Sequence, residues 1–410
     1  MLALYNLIVK LYSFLIWVAS FNNLKAKALV NGRKNLLSKI KSDLKDHDPK
    51  VWFHFASLGE FEQGRTVIEH LKISHPEKKI IITFFSPSGY EVRKNYPLAE
   101  NVFYLPADNR FNAREFIKLI NPEIAIFTKY EYWYYYFKEL KKNNIPLYII
   151  SGIFRENQIF FKWYGKIYRE MLHCVTHFFV QNEKSVELLD SINIKNVSLS
   201  GDTRFDRVFE NAQSVKEIPL VKDFCGGSST LVAGSTWPDD EKLLSELHSE
   251  NQTWKFIIAP HEISDEKLVA LENQFKDKTQ RYSQLPEKGL SDKSILIIDN
   301  IGMLSALYQY GDIAYIGGGF GAGIHNTLEA AAFGIPVIFG PKYQKFAEAK
   351  DLIELDAAFT IKISDELKQV FNRLKDESER IKSGLKAKEY IKSKIGATNI
   401  ILDQVFKPDN

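Results

Sequence analysis

Residues 317–341 read GGGFGAGIHNTLEAAAFGIPVIFGP, and no other stretch of the chain states its chemistry so openly. Asn326 and Glu329 follow the glycines at the spacing of a helix-capping side chain and its partner three residues on. A loop of this kind lets backbone N–H groups approach an anion, and the dipole of the helix behind it favours negative charge. A carboxylate at Glu329 would repel phosphate but accept hydrogen bonds from sugar hydroxyls. The pattern predicts a nucleotide, its phosphate at the loop and its ribose at Glu329. Close strand–helix packing is the competing explanation of the glycines. Gly317, Gly319 and Ala322 nearly satisfy G-x-G-x-x-G/A, but that fingerprint wants an acid at a strand end about twenty residues later. The stretch 340–344 has none, so NAD is excluded.

Other candidates stand at the ends of apolar runs. Glu60 follows the run 51–56 (VWFHFA), on a loop leading into a helix at 61–74. Open α/β sheets keep ligands at such carboxyl ends, although an acid in a helix's first turn also simply complements the dipole. His261 closes the run 255–259 through Pro260, where it is a candidate phosphate ligand. Lys129, Arg155 and Arg204 lie at strand ends and are candidates to meet an anionic substrate, against the ordinary role of a solvated charge. No H-E-x-x-H, Cys/His cluster or D-x-D is suitably placed, so neither a metal nor a cofactor is expected.

These residues need a scaffold, and the periodicity supplies one. Short apolar runs at 79–85, 102–105, 123–128, 146–151 and 177–180 alternate with helical segments, as do 229–233, 295–298, 312–316 and 337–339. Strand–helix alternation predicts doubly wound parallel sheets. Gly334 and Pro336 stop the helix 327–333. Residues 211–227 lose the periodicity and mark a boundary between two α/β halves.

With 410 residues, two domains of roughly 100–200 residues each are expected. A net charge of +3 gives no reason to invoke nucleic acid, and Cys174 and Cys225 lack the spacing of a disulfide framework or metal site. Residues 2–21 (LALYNLIVKLYSFLIWVASF) are apolar enough to cross a bilayer or lie on it, and Lys25, Lys27, Arg33, Lys34 and Lys39 follow. That basic cluster argues for the cytoplasmic side of a membrane. The aromatic runs 130–137 (YEYWYYYF) and 160–168 fit either core packing or an interfacial surface.

The chain resembles the Kdo (3-deoxy-D-manno-octulosonic acid) transferases of the GT-B glycosyltransferase class. The motifs are Ser57-Leu-Gly-Glu60, Tyr130-Glu131-Tyr-Trp133, Gly201-Asp-Thr-Arg-Phe-Asp206 and Gly234-Ser-Thr236. Pro260-His261, Ile301-Gly-Met303, His325-Asn-Thr-Leu-Glu329 and Gly340-Pro341 complete the set. The resemblance implies two Rossmann-like domains facing a cleft, 25–212 for the acceptor and 228–390 for the donor. Residues 1–24 would form the membrane-associating helix, and 391–410 a C-terminal helix packing back on the first domain. It implies an inverting, metal-independent transfer of Kdo from CMP-Kdo to a lipid A precursor (lipid IVA) at the cytoplasmic face of the bacterial inner membrane. Glu60 would be the general base, with Arg204 and Glu131 assisting. CMP would be held by Ser235, Thr236, Pro260, His261, Ile301, Gly302, Met303, Gly318, Gly319, Asn326, Thr327, Leu328 and Glu329. Ser57, Gly59, Lys129 and Trp133 would face the acceptor. The family's E-x-E-x-W appears as Lys129-Tyr-Glu131-Tyr-Trp133, its first glutamate replaced by lysine. Another GT-B nucleotide-sugar enzyme, such as a different sugar transferase or a UDP-sugar 2-epimerase, is the alternative.

Overall fold

The computed structural model describes residues 2–406 and divides into two compact units. The first holds the chain up to Asp206 together with the segment from Ile395 onward, and the second holds Arg207–Lys394. Met1 and residues 407–410, the ends of the expected anchor and C-terminal helix, lie outside the described residues.

The first unit is built on β1 Lys50–Phe55, β2 Lys79–Phe84, β3 Asn101–Tyr104, β4 Pro122–Thr128, β5 Leu147–Gly152, β6 His177–Val180 and β7 Val197–Leu199. All pair in parallel, in the order β3-β2-β1-β4-β5-β6-β7. Helices cover both faces, so the strands are continuous buried runs rather than alternating ones; all six residues of β1 are buried. The strand order reverses between β1 and β4, which makes their carboxyl ends the natural ligand edge.

Four N-terminal helices matter for that edge: α1 Leu2–Ala19, α2 Leu24–Arg33, α3 Leu36–Asp43 and α4 Leu58–Ser74. The helix expected from residue 61 starts at Leu58, so Glu60 is its third residue rather than part of a separate turn. Gly64 lets α4 close on β1, since a Cβ there would stand 2.3 Å from the Phe55 ring. The apolar α1 does not project away from the unit. Tyr5 donates from its hydroxyl to the buried Asp108, Tyr135 donates to Asn6 Oδ1 at 2.7 Å, and the Tyr12 ring stacks on Phe85 with centroids 5.8 Å apart. Asp108 also accepts the Tyr135 and Tyr136 N–H groups at 3.2 Å, capping the helix Tyr134–Lys142 from outside its own segment. The opposite face of α1, with Leu4, Leu7, Leu11, Phe14 and Leu15, is exposed. The helix Ala397–Val405 packs on α4 and buries Ile401 completely.

The second unit repeats the plan with β8 Thr230–Thr236, β9 Lys255–Pro260, β10 Thr279–Arg281, β11 Ile295–Ile297, β12 Ile313–Ile316, β13 Val337–Phe339 and β14 Ala358–Thr360. The order is β10-β11-β9-β8-β12-β13-β14, again all parallel, with its reversal between β8 and β12. The aperiodic stretch 211–227 contains the end of the helix Thr203–Gln213 and the helix Pro219–Cys225.

Candidate functional site

At the reversal of the first sheet, two carboxylates meet. Glu60 Oε2 accepts the Ala56 N–H at 2.6 Å, which turns the side chain back over the end of β1. Glu131, three residues past β4, is buried and receives the Trp133 indole N–H at 3.0 Å. Burial pushes the Glu60 carboxyl up to about 7, and the Glu131 charge adds to it. The Ala56 bond and the positive charge of Lys129 act the other way. A carboxyl that titrates near neutrality is suited to taking a proton from a hydroxyl.

Behind Glu131 lies a residue that the periodicity hides. His54, fully buried on β1, places Nε2 3.1 Å from Glu131 Oε2 and Nδ1 2.8 Å from Thr83 Oγ1. Trp52 donates its indole N–H to the same Thr83 hydroxyl at 2.8 Å. This buried chain from Trp52 through Thr83 and His54 fixes the carboxylate of Glu131. Its one trace in the sequence is a histidine inside the otherwise apolar run 51–56.

The remaining candidates of the first unit are spread around this pair. Lys129 adopts a left-handed backbone, φ 56°, directly after β4. Arg204 binds Asp202 through Nε and Nη2 at 2.9 and 2.8 Å. Its neighbour Thr203 donates to the Gln63 carbonyl and lies 3.1 Å from the Ser151 hydroxyl, tethering Arg204 near the first turns of α4. Ser57 precedes α4 without a side-chain capping bond, and Gly59 is exposed on its first turn. Arg155 lies over the Tyr130 ring at 5.7 Å. Within 130–137, Tyr136 and Phe137 belong to the core, while Tyr134 and Tyr135 receive α1.

In the second unit the glycine loop is tighter than a phosphate cradle requires. A Cβ at Gly317 would stand 2.3 Å from the Ser235 carbonyl oxygen, and one at Gly319 would stand 2.6 Å from Gly340 Cα. The Gly318 N–H donates to Asp240 Oδ2 at 2.9 Å, and the Gly317 N–H to the Gly234 carbonyl. Those two amides are therefore committed inside the protein, and strand–loop packing explains these glycines. The helix after the loop is shorter than expected, Leu328–Ala332. Asn326 Oδ1 accepts the Leu328 N–H at 3.1 Å, and Asn326 donates its side-chain amide to Glu329 at 3.0 Å.

Strand ends gather the other donor-side candidates. Ser235 is held at φ 55°, and Thr236 bonds Glu241 at 3.1 Å. The rings of Trp237 and His325 each lie about one stacking distance from His261, with centroids 4.7 Å apart in both pairs. Burial and the charge of His261 hold the His325 imidazole below its ordinary pKa. Pro260 ends β9, Ile301 and Gly302 are exposed beyond β11, and Met303 is half-buried. Thr327 and Leu328 are buried, so they offer backbone rather than side chain. Among the described residues, no group of three or more His, Cys, Asp or Glu side chains is placed to hold a metal ion.

Residues 30–207, which include Glu60, Glu131 and Arg204, match the family profile described as 3-Deoxy-D-manno-octulosonic-acid transferase (kdotransferase). A "3-deoxy-D-manno-octulosonic acid transferase" of Aquifex aeolicus is 27% identical over 361 residues, covering 85% of this chain and 92% of that relative. That of Rickettsia prowazekii is 24% identical over 379 residues, 88% of this chain and 80% of the relative. A "Bifunctional glycosyltransferase/methyltransferase" of Fusobacterium nucleatum is 26% identical across 91% of this chain, which spans 59% of that relative's length. Among solved structures, UDP-GlcNAc 2-epimerase of Neisseria meningitidis superposes with a TM-score of 0.61 at 15% identity, covering 88% of this chain and all of that one (100%). Acinetobacter baumannii MurG gives 0.56 at 12% identity, with coverage of 88% and 100%. These structural likenesses establish the GT-B type of fold. The family profile over residues 30–207 and the curated relatives agree on what the chain is similar to: the Kdo transferases, a family of glycosyltransferases.

Proposed function

We propose that the protein transfers Kdo with inversion from CMP-Kdo to a lipid A precursor, with Glu60 as the general base. The observation that carries this reading is the Glu60 carboxyl, raised to about 7 at the reversal of the acceptor-side sheet. Above that value it is an anion, and it would take the proton of an acceptor hydroxyl as oxygen attacks the anomeric carbon. The C–O bond to the nucleotide then breaks, and CMP departs with the electron pair. Arg204 would stabilise charge developing in that step, while Glu131 holds the local field. The second unit would bind CMP through the strand-end residues Ser235, Thr236, Pro260, His261 and Ile301–Met303, with Asn326–Glu329 on the ribose side. Ser57, Gly59, Lys129 and Trp133 would line the acceptor's approach.

The apolar helix α1 supports attachment to a membrane. Its eighteen residues expose one apolar face, while Tyr5 and Asn6 at its N-terminal end are hydrogen-bonded to the globular unit. A helix crossing the bilayer would carry that end to the far side, about 27 Å away. In-plane attachment at the cytoplasmic face of the inner membrane keeps these bonds.

The test is incubation of the purified protein with CMP-Kdo and a tetra-acylated lipid A precursor, followed by mass spectrometry of the lipid. One or more added Kdo masses are expected, and Glu60→Gln should lose about 10²–10⁴-fold in rate while keeping CMP binding. Wild-type turnover by Glu60→Gln, or epimerisation of a UDP-sugar in place of transfer, would overturn the reading.

A further inference from the structure

Between α1 and the body of the first unit runs an apolar slot of about 350 Å³, lined by Tyr12, Ser13, Phe85, Ala107 and Trp133. A second cavity of about 370 Å³ shares Tyr12, Ser13, Arg33 and Ala107 with it and is walled also by Ile16 and Leu29. Two charged residues line the first cavity, Asp108 and Arg33. Asp108 is engaged by the Tyr5 hydroxyl and the amides of Tyr135 and Tyr136. Arg33 is different. Its Nε and Nη2 donate to the neutral carbonyls of Leu105 and Phe85 at 3.0 and 3.5 Å, and its guanidinium lies 4.7 Å from the centre of the Phe85 ring. Among the described residues no carboxylate pairs with it; the groups facing it are the hydroxyls of Tyr12, Tyr104 and Tyr136.

A half-buried guanidinium carries a planar fork of donors suited to a phosphate, and holding it without an anion costs stability. Here it stands at the wall of a slot whose other surface is mainly aromatic and aliphatic, apart from Ser13 and the hydrogen-bonded Asp108. The complementary ligand has an alkyl chain and an anionic head. The slot also leads somewhere: Phe85 stacks on Trp133 with centroids 4.9 Å apart, and Trp133 donates to Glu131. Arg33, Phe85, Trp133 and Glu131 therefore form one continuous wall.

We infer that this slot receives an acyl chain of the phosphorylated lipid acceptor, and that Arg33 binds a phosphate of the same molecule. The inference rests on the reading that the acceptor is such a lipid, and it adds how that lipid leaves the membrane plane beneath α1.

Photolabelling of the full chain in phosphatidylcholine vesicles tests it without requiring turnover. The probe is a tetra-acylated, bis-phosphorylated glucosamine disaccharide carrying a diazirine on one acyl chain, with labelled peptides mapped by mass spectrometry. Labels are expected around Ser13, Phe85 and Ala107. Arg33→Met should cut the labelling and raise the acceptor KM roughly tenfold or more, with the CMP-Kdo KM unchanged. Arg33→Lys should restore part of both. Ser13→Phe, which fills the slot from exposed α1 without touching Arg33, should abolish labelling even if Arg33→Met folds poorly. Unchanged labelling in Arg33→Met and Ser13→Phe would overturn the proposal. Equal labelling of the slot by a diazirine phosphatidylglycerol would overturn it too, assigning the slot to bulk anionic lipid. Labelling with no transfer to the disaccharide would leave the slot standing and refute the transferase reading instead.

Discussion

Glu60 is governed by burial and two charged neighbours, and each neighbour gives a sign that can be measured. Its carboxyl titrates near 7 because burial and Glu131 raise it while Lys129 lowers it. As the proposed base it must be ionised, so turnover should climb with pH through about 7 and level off above. Glu131→Gln removes the raising charge and should move that limb to lower pH; Lys129→Met should move it higher. Opposite displacements in pH–rate profiles are the expected outcome, and shifts in one direction would separate Glu60 from the rate. The same carboxyl also bears on stability. A folded-state value above the ordinary 4.5 means the folded protein keeps a proton that the unfolded chain gives up between those two values. Stability from this group is therefore greatest below 4.5 and declines as pH rises to about 7. Glu60→Gln should match the wild type in urea unfolding at pH 4.5 and exceed it by about 1–2 kcal/mol at pH 8, a figure reduced for the side chain's partial exposure. An inactive variant that is the more stable one marks a group strained for function.

Elements explain why some of this was legible in the sequence and some was not. The strands were legible because helices bury both faces of each sheet, leaving uninterrupted runs such as 79–84 and 313–316. Glu60 was legible because it sits just past such a run, where a doubly wound sheet opens to ligands. The His54–Glu131 contact was not, since it joins residues 77 positions apart, one on β1 and the other in the loop after the adjacent β4. Nor was the docking of α1, because the apolar pattern of 2–21 suits a free membrane helix equally well. That docking depends on Tyr5 and Asp108, 103 residues apart. Tyr5→Phe should cost about 1–2 kcal/mol in unfolding free energy and speed protease cleavage near residues 20–24, while the body stays folded. The close packing of the glycine loop was hidden for a related reason: glycine permits close approach by any partner, and at Gly317 and Gly319 the partners are the chain's own backbone. Gly317→Ala, pressed against Ser235, should destabilise the second unit by about 2 kcal/mol or more, seen as a lowered melting temperature.

At the scale of the molecule, each unit carries its own sheet, its own core and its own strand-end residues, and the chain passes between units twice. It leaves the first within the helix Thr203–Gln213 and returns before the helix Ala397–Val405, whose Ile401 joins the core under α4. The return is fastened by Asp206, which accepts the N–H of Gly396 at 2.5 Å, the N–H of Thr398 at 2.7 Å and the Thr398 hydroxyl at 2.8 Å. A buried carboxylate with three donors is an expensive group to remove, because each donor is left without its partner. Asp206→Ala should cost about 3 kcal/mol, all of it in the first unit. CMP, on the proposed assignment, touches the second unit and at a hundredfold excess over its Kd should add about 2.7 kcal/mol there. Calorimetry then has a definite form to find. Asp206→Ala lowers one transition, CMP raises another, and the two perturbations leave each other's transition in place. A single transition that moves with both would mean that the units unfold as one body and that the donor site draws on the acceptor-side core for its stability.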